Sequence, residues 1–301
     1  MSNKSRMSKA LVRRETIAGY AFMLPSLIFF FGFVIYPMVQ CVITSFFDST
    51  MNREDIFIGF GNYIELFQDK VFLGALRNTV IIVVVSVPVV CVFSLWVSSV
   101  IHNLSGPLCS IFRCIFYLPV VTGSVAVTVV WKWMFNNYYG IFNYVGKATG
   151  LIDQNINWLG DERYALGCII LILLTTSVGQ PIVLYVSALN NVDQSLVEAA
   201  QDLGANTTKT LLRVLIPMSV PGISTGITMV FVPAVSTFVI SRMLGGGTEL
   251  LLGDLIERQF LGGAYNPQLG AAISLVMMII VLVCMLVMNR FGEGEEQAVK
   301  L

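Results

Sequence analysis

Six long apolar runs separated by polar connections constrain this chain more than any other feature of its sequence. Charge-poor stretches recur at Ile17 to Phe47, Asn78 to Ile101, Cys114 to Trp131, Tyr164 to Asn190, Met218 to Ser241 and Leu269 to Asn289. A helix needs about 20 apolar residues to cross the hydrocarbon of a bilayer, where each backbone N–H and C=O must find its partner inside the protein. The expected fold is therefore all-α, a bundle of six membrane-spanning helices, with the third run the shortest. Only 12% of the 301 residues are charged, against roughly 25% in ordinary soluble domains.

Composition also excludes several functions. Formal net charge is zero and no basic patch interleaves with aromatics, so nucleic acid is not an expected partner. The six cysteines lie in or beside apolar runs without C-x-x-C spacing and read as small packing residues. The single histidine, His102, has no triad or metal cluster around it and reads as an interfacial residue. Gly204 to Thr210 superficially resembles a phosphate-binding loop, but Thr208 stands where a glycine must precede the lysine, so no nucleotide site is expected on this chain. No cofactor and no metal are expected either.

The basic N-terminus leading into Ile17 to Phe47 imitates a secretory signal, yet the run is far longer than the ~7–15 residues of a signal core, and it is read as a retained first span. Many runs carry proline or glycine, among them Pro25, Pro37, Pro119, Gly123, Gly179, Pro181, Gly226 and Pro233, which favours a moving, cavity-lining bundle over a plain anchor. Lys4, Arg6, Lys9, Arg13 and Arg14 place the N-terminus in the cytoplasm of a bacterial-type plasma (inner) membrane, and an even number of spans returns the C-terminus there. The expected organisation is an arm at 1–16, the six-helix domain at 17–291 with a cytoplasmic loop at 191–217, and a tail at 292–301. Outside lie Asp48 to Gly74, Lys132 to Arg163 and Arg242 to Gln268, which hold eleven of the eighteen acids.

The cytoplasmic stretch Glu198 to Pro217 looks built to be a structured object. Ser195 and Glu198 have capping-box spacing and start a helix near Leu196; Gly204 ends it in the left-handed conformation; Asn206 or Thr207 caps a second helix; Pro217 stops that one. Ala199 and Ala200 let a partner approach closely inside a polar rim. The pattern Glu198-Ala199-Ala200, three residues, Gly204, nine residues, Val214, one residue, Ile216-Pro217 resembles the EAA loop of permease subunits of binding-protein-dependent type I ABC importers, with Val214 and Ile216 replacing the family's Ile and Leu. The resemblance spans nearly the whole chain. It implies that Glu198, Ala199, Ala200, Gly204 and Pro217 belong to a coupling helix that docks on a separate ATPase subunit. It further implies a second permease, an extracytoplasmic solute-binding protein and surrounding lipid as partners, and no enzymatic chemistry on this chain.

Two substrate classes stay open on sequence. Gly59-Phe60-Gly61-Asn62-Tyr63, Ala75-Leu76-Arg77-Asn78-Thr79, Tyr117-Leu118-Pro119 and Asn157-Trp158-Leu159 resemble sugar permeases of the maltose, lactose and glycerol-phosphate type. Asp202-Leu203-Gly204-Ala205, Phe231-Val232-Pro233-Ala234 and Gly253-Asp254-Leu255-Ile256 resemble spermidine and putrescine permeases. A carbohydrate is the first expectation and a polyamine the alternative; a non-transporting scaffold or sensor is a reading of another class. Gly179-Gln180-Pro181-Ile182 matches the short Gly-aromatic-Pro-Tyr motif of maltose-type permeases with both aromatics replaced. Gly179, Gln180, Ile182, Ser236 and Thr237 are the residues this implies along the substrate path.

Overall fold

A computed structural model describes residues 2–49, 55–104, 106–245, 251–262 and 265–299. α1 (Ser2–Phe30) passes through a π-helical turn at Phe31–Ile35 into α2 (Tyr36–Thr44). An antiparallel pair, β1 (Phe47–Ser49) with β2 (Asp55–Phe57), leads through α3 (Gly61–Gln68) into the long α4 (Lys70–His102). α5 (Gly106–Thr122), α6 (Ser124–Met134), α7 (Ile141–Ala148), α8 (Glu162–Ser177) and α9 (Gly179–Asn190) follow. The polar loop holds α10 (Gln194–Asp202), α11 (Thr207–Thr210), a second π-helical turn at Leu211–Leu215 and α12 (Ile216–Met218). α13 (Val220–Val235), α14 (Val239–Gly245), α15 (Leu252–Leu261) and α16 (Pro267–Val299) complete the chain.

Among the described residues, three stretches are single helices long and apolar enough to cross a membrane: Thr16–Thr44, Lys70–His102 and Pro267–Met288. The other three apolar runs are bent pairs, which brings the count to six when each pair is one span. The run expected as one helix from Cys114 to Trp131 turns through 93° at Gly123. Gly123 has φ 82° and ψ 140°, a conformation essentially reserved for a residue without Cβ. Tyr164 to Asn190 bends by 44° at Val178, just before Pro181, which has no N–H to continue the ladder. Met218 to Ser241 is also not one helix. Its first residue ends α12, a 73° bend follows at Ser219 ahead of Pro221, and the helix stops at Val235. The first run ends at Thr44, with Phe47 already in β1. The residues assigned to the arm and tail are helical too, from Ser2 and as far as Val299, continuous with the first and last spans.

Two prolines explain the π-helical turns. Tyr36 N–H bonds to Phe31 O and Ile216 N–H to Leu211 O, each five residues back, and Pro37 or Pro217 comes next. A proline ring collides with the carbonyl four residues earlier; opening the preceding turn by one residue moves that carbonyl aside.

The core forms around α4. Val87, Val90, Val97 and Ile101 pack with Ile182 and Val186 of α9 and Val230, Phe231 and Ala234 of α13. Ile82 joins Ile169, Ile172 and Leu173 of α8 and Ile240 and Leu244 of α14. Phe72 and Ala75 meet Leu66, Leu252, Leu255 and Ile273. The most apolar part of the first span, by contrast, has no residue buried within this chain.

The sequence motifs outside the membrane mostly build this frame. Asn62 is buried and donates to Ser45 O and Phe47 O, both at 2.8 Å, pinning α3 to the strand pair. Asn143 donates to Asn137 O and Ile156 O and accepts from Ile156 N and Trp158 Nε1, so one buried amide organises the connection between α6 and α8. His102 Nδ1 is hydrogen-bonded to Asn190 Oδ1 at 2.7 Å, tying the C-terminal ends of α4 and α9.

α13 lies on α9 through a small-xxx-small face. A Cβ on Gly222 would strike Ala188, and one on Gly226 would strike the ring of Tyr185. Gly226→Val should therefore overpack this contact at a cost of about 1–3 kcal/mol. The expected outcome is a lowered melting temperature of the purified protein in detergent, with Gly32→Val, which meets no atom within 4 Å, as the silent control.

Candidate functional site

Two regions carry the residues singled out by sequence: the polar loop between α9 and α13, and a cleft at the helix breaks. In the loop the cap of α10 is Asp193, not Ser195. The Asp193 backbone is extended and its carboxylate accepts from Ser195 N at 2.9 Å, so the helix begins at Gln194, two residues earlier than expected. That backbone N–H bond holds the Asp193 carboxyl below its ordinary value, so the cap persists at neutral pH and is lost as pH falls through the lowered value. At the other end Gly204 N–H bonds to Gln201 O at 2.8 Å and Ala205 N–H to Ala200 O at 3.0 Å, with Gly204 at φ 84°. This is a Schellman closure, and it makes the corner. Asn206 then caps α11 by accepting from Lys209 N at 2.8 Å.

Pro217 does not stop the second helix. The π-helical turn accommodates it, helix continues to Met218, and the break falls at Ser219, whose hydroxyl donates to Ala188 O at 3.3 Å. Thr210, Leu215 and Ser219 face the bundle and are buried. Glu198, Ala199, Gly204 and Pro217 are exposed and Ala200 half-buried. Leu196, Ala199, Ala200 and Leu203 share one face of α10 at i, i+3, i+4 and i+7 spacing, and Leu203 at the corner is 89% exposed. The sequence placed Leu203 beside Gly204 but gave no sign that it would stand in water.

The cleft has a volume of about 350 Å³, within the range of small-molecule sites of about 300–1,000 Å³. Three helix interruptions converge on it. Ser124 comes from the break at Gly123, Ser177 and Gln180 from the break at Val178, and Ser236, Thr237 and Phe238 from the break between α13 and α14. Thr176 adds a hydroxyl, and Pro119, Val120, Met229 and Pro233 supply apolar wall. No charged side chain lines it among the described residues. Ser236 Oγ donates to Val232 O at 3.0 Å, which leaves its lone pairs to accept from a ligand hydroxyl.

The five path residues named from sequence divide. Gln180, Ser236 and Thr237 line the cleft. Ile182 does not: it is fully buried among Val90, Val97 and Val230. Gly179 does not either, being pressed so close to α5 that a Cβ would meet Phe116 O at 2.5 Å. Periodicity explains the difference, because Gly179 and Ile182 share the face that α9 turns toward its neighbours, whereas Gln180 points away from it. Phe238 was missed. It supplies an aromatic ring at the cleft after the aromatics of the short motif had been counted as lost, and its nearness to Ser236 and Thr237 was the available signal.

Comparison with known proteins gives a consistent result. A family model described as binding-protein-dependent transport system inner membrane component matches residues 56–299. The chain is 29% identical over 293 residues, 95% of its length and 100% of the relative's, to the probable ABC transporter permease protein YurN of Bacillus subtilis (strain 168). It is 32% identical over 221 residues, 73% of each protein, to the lactose transport system permease protein LacF of Rhizobium radiobacter. Its fold matches a chain in the crystal structure of a bacterial ABC transporter involved in the import of the acidic polysaccharide alginate, with TM-score 0.79 at 21% identity over 96% of this chain and 98% of that one.

The corner is open to test because a Cβ on Gly204 would meet no atom within 4 Å, so only backbone conformation penalises substitution. Gly204→Val should cost about 1–2 kcal/mol through the left-handed conformation, and Gly204→Asn much less. Limited proteolysis of the purified protein should show the 191–217 loop cut faster in the valine variant and near the parental rate in the asparagine one.

Proposed function

The chain belongs to the family of binding-protein-dependent transport system inner membrane components, and on that premise we propose that it forms half of the path by which a carbohydrate enters the cell. It is an integral membrane permease of an ABC importer, a transporter component rather than an enzyme. The observation that carries the substrate reading is the meeting of three helix breaks at one cleft lined by hydroxyls, an amide and an aromatic ring, with no charge among the described lining residues. Broken helices expose backbone groups to a substrate, and hydroxyl-rich, uncharged walls suit a polyhydroxylated solute. A polyamine would be better matched by carboxylates than by these hydroxyls. The similarity to a lactose permease points the same way.

Hydrolysis of ATP takes place on separate subunits, and this chain binds no cofactor. A second permease completes the pore, and an extracytoplasmic binding protein delivers the solute. Both chain ends and the 191–217 loop lie on the cytoplasmic side. Glu198, Ala199, Ala200, Gly204 and Pro217 form the surface that docks on the ATPase, and Leu203 inserts as its apolar knob. α9 runs from the cleft to this loop and α13 runs back, with lengths of about 18 and 24 Å at 1.5 Å per residue. Packed on each other at Gly222 and Gly226, they carry movement of the loop to two of the three breaks as one rigid body.

Two measurements test this. In proteoliposomes carrying the complete transporter, uptake of lactose or a short oligosaccharide with its binding protein is expected, and uptake of spermidine is not. Gln180→Ala and Ser236→Ala should raise the apparent KM several-fold without changing basal ATP hydrolysis; exclusive transport of spermidine would reverse the substrate assignment. Leu203→Ser should weaken capture of the ATPase subunit by about ten- to a hundredfold, from the ~1.5–3 kcal/mol that burial of a leucine contributes, while leaving the melting temperature unchanged.

A further inference from the structure

Past the last break in the cleft wall, a buried carboxylate holds the chain in place. α15 enters the bundle N-terminus first, with Leu251, Leu252, Gly253, Asp254 and Leu255 all buried. Gly253 sits directly against the broken stretch: a Cβ there would stand 2.8 Å from Phe238 Cβ and 3.3 Å from Thr237 O. Asp254 Oδ2 accepts from Ser241 Oγ at 2.6 Å and from Leu251 N at 3.1 Å. Leu252 N donates to Thr79 Oγ1 at 3.1 Å, and Thr79 donates to Ala75 O at 2.8 Å, so the same turn is fastened to α4. Ser241 lies in the first turn of α14, which begins directly after Phe238 of the cleft wall.

The arrangement is an expensive way to fasten two helices. Asp254 Oδ1 is buried without a hydrogen-bond partner, and burial pushes the carboxyl up, opposed by the Ser241 and Leu251 bonds and by the charges of Arg258 and Arg242. Arg242 is itself paired with Glu257. A half-satisfied buried carboxylate is worse for stability than an apolar contact of the same shape. Its use here favours a contact whose value is being made and broken over one that only adds stability.

We propose that Asp254 is a positioning residue of the transport cycle: through Ser241 it holds α14, and with it the Ser236–Phe238 wall, in the arrangement described above, and the contact breaks when that wall moves. Gly253 is its companion, because only a residue without a side chain lets α15 lie close enough for the bond to form. The inference rests on the transport reading of the cleft.

The experiment uses Asp254→Ala, Ser241→Ala and Asp254→Asn in the complete transporter in proteoliposomes, each combined with Thr237→Cys. A membrane-impermeant maleimide reports the exposure of position 237 without ATP or solute, and ATP hydrolysis without solute reports coupling. The two alanine variants are expected to raise both rates by about fivefold or more, the lower range of coupling between sites. Asparagine keeps an oxygen to accept from Ser241 and Leu251, so Asp254→Asn is expected to stay near the parental rates. Unchanged labelling and hydrolysis in folded Ser241→Ala would overturn the proposal, as would an equal rise in labelling of the native, buried Cys168, which would mean general loosening. Ser241→Ala removes a single hydroxyl and keeps the test available if Asp254→Ala does not fold. Absence of solute uptake alongside the expected labelling would count against the transport reading and leave the latch standing.

Discussion

A bend in a membrane helix brings polar backbone into apolar surroundings, and the fold of this chain depends on how α4 packs against it. Ser94 Oγ donates to Val178 O at the bend of the fourth span, a carbonyl that also accepts from Ile182 N at 3.2 Å, and Ser98 Oγ donates to Ile182 O one turn on. The same helix contributes to all three core clusters and accepts Leu252 N through Thr79. At ~1.5 Å per residue its 33 residues extend about 50 Å, enough to serve every layer of the bundle. Small hydroxyl residues on its buried face let the broken helices approach and donate to their carbonyls at the contact. The irregular backbone that lines the cleft is tolerated because a regular neighbour supports it.

Cleft and loop are two ends of one mechanical unit. α9 and α13 both start or finish at a cleft break, both finish or start at the polar loop, and interlock through glycine contacts in between. Ser219 closes the unit at the loop end by donating to Ala188 O, and His102 anchors that end to α4. At the other end α14 and α15 fasten the wall by a polar contact that can be exchanged. Rigid rods between two adjustable ends give a displacement somewhere to go.

The sequence made the existence of the spans legible, along with the polar loop and its glycine corner, because each rests on a window of residues or on one residue with a singular conformation. It did not reveal the right-angled turn at Gly123, since hydropathy averages over a run and is blind to a single dihedral. The cap at Asp193 was overlooked because Ser195 satisfies the same short pattern, and the choice between them lies in which backbone is extended. In the cleft, Gln180, Ser236 and Thr237 were reachable by motif. Ile182 was misplaced because the motif fixes order along the chain, whereas α9 decides which face is inward. Asp254 stands out in the sequence only as part of a motif shared with other permeases; its burial beside Ser241 depends on α15 folding back into the bundle.

The π-helical turns have one more effect, on helical phase. An extra residue in a turn rotates everything beyond it by about 100° relative to a regular helix. Thr210 and Leu215 both face the bundle although they are five residues apart, a spacing that places residues on different sides of an uninterrupted α-helix. A substitution scan through 207–218 interpreted with a period of 3.6 would therefore mistake exposed positions for buried ones halfway along. The proline that demands the turn thereby sets which side chains of this segment are exposed and which are buried.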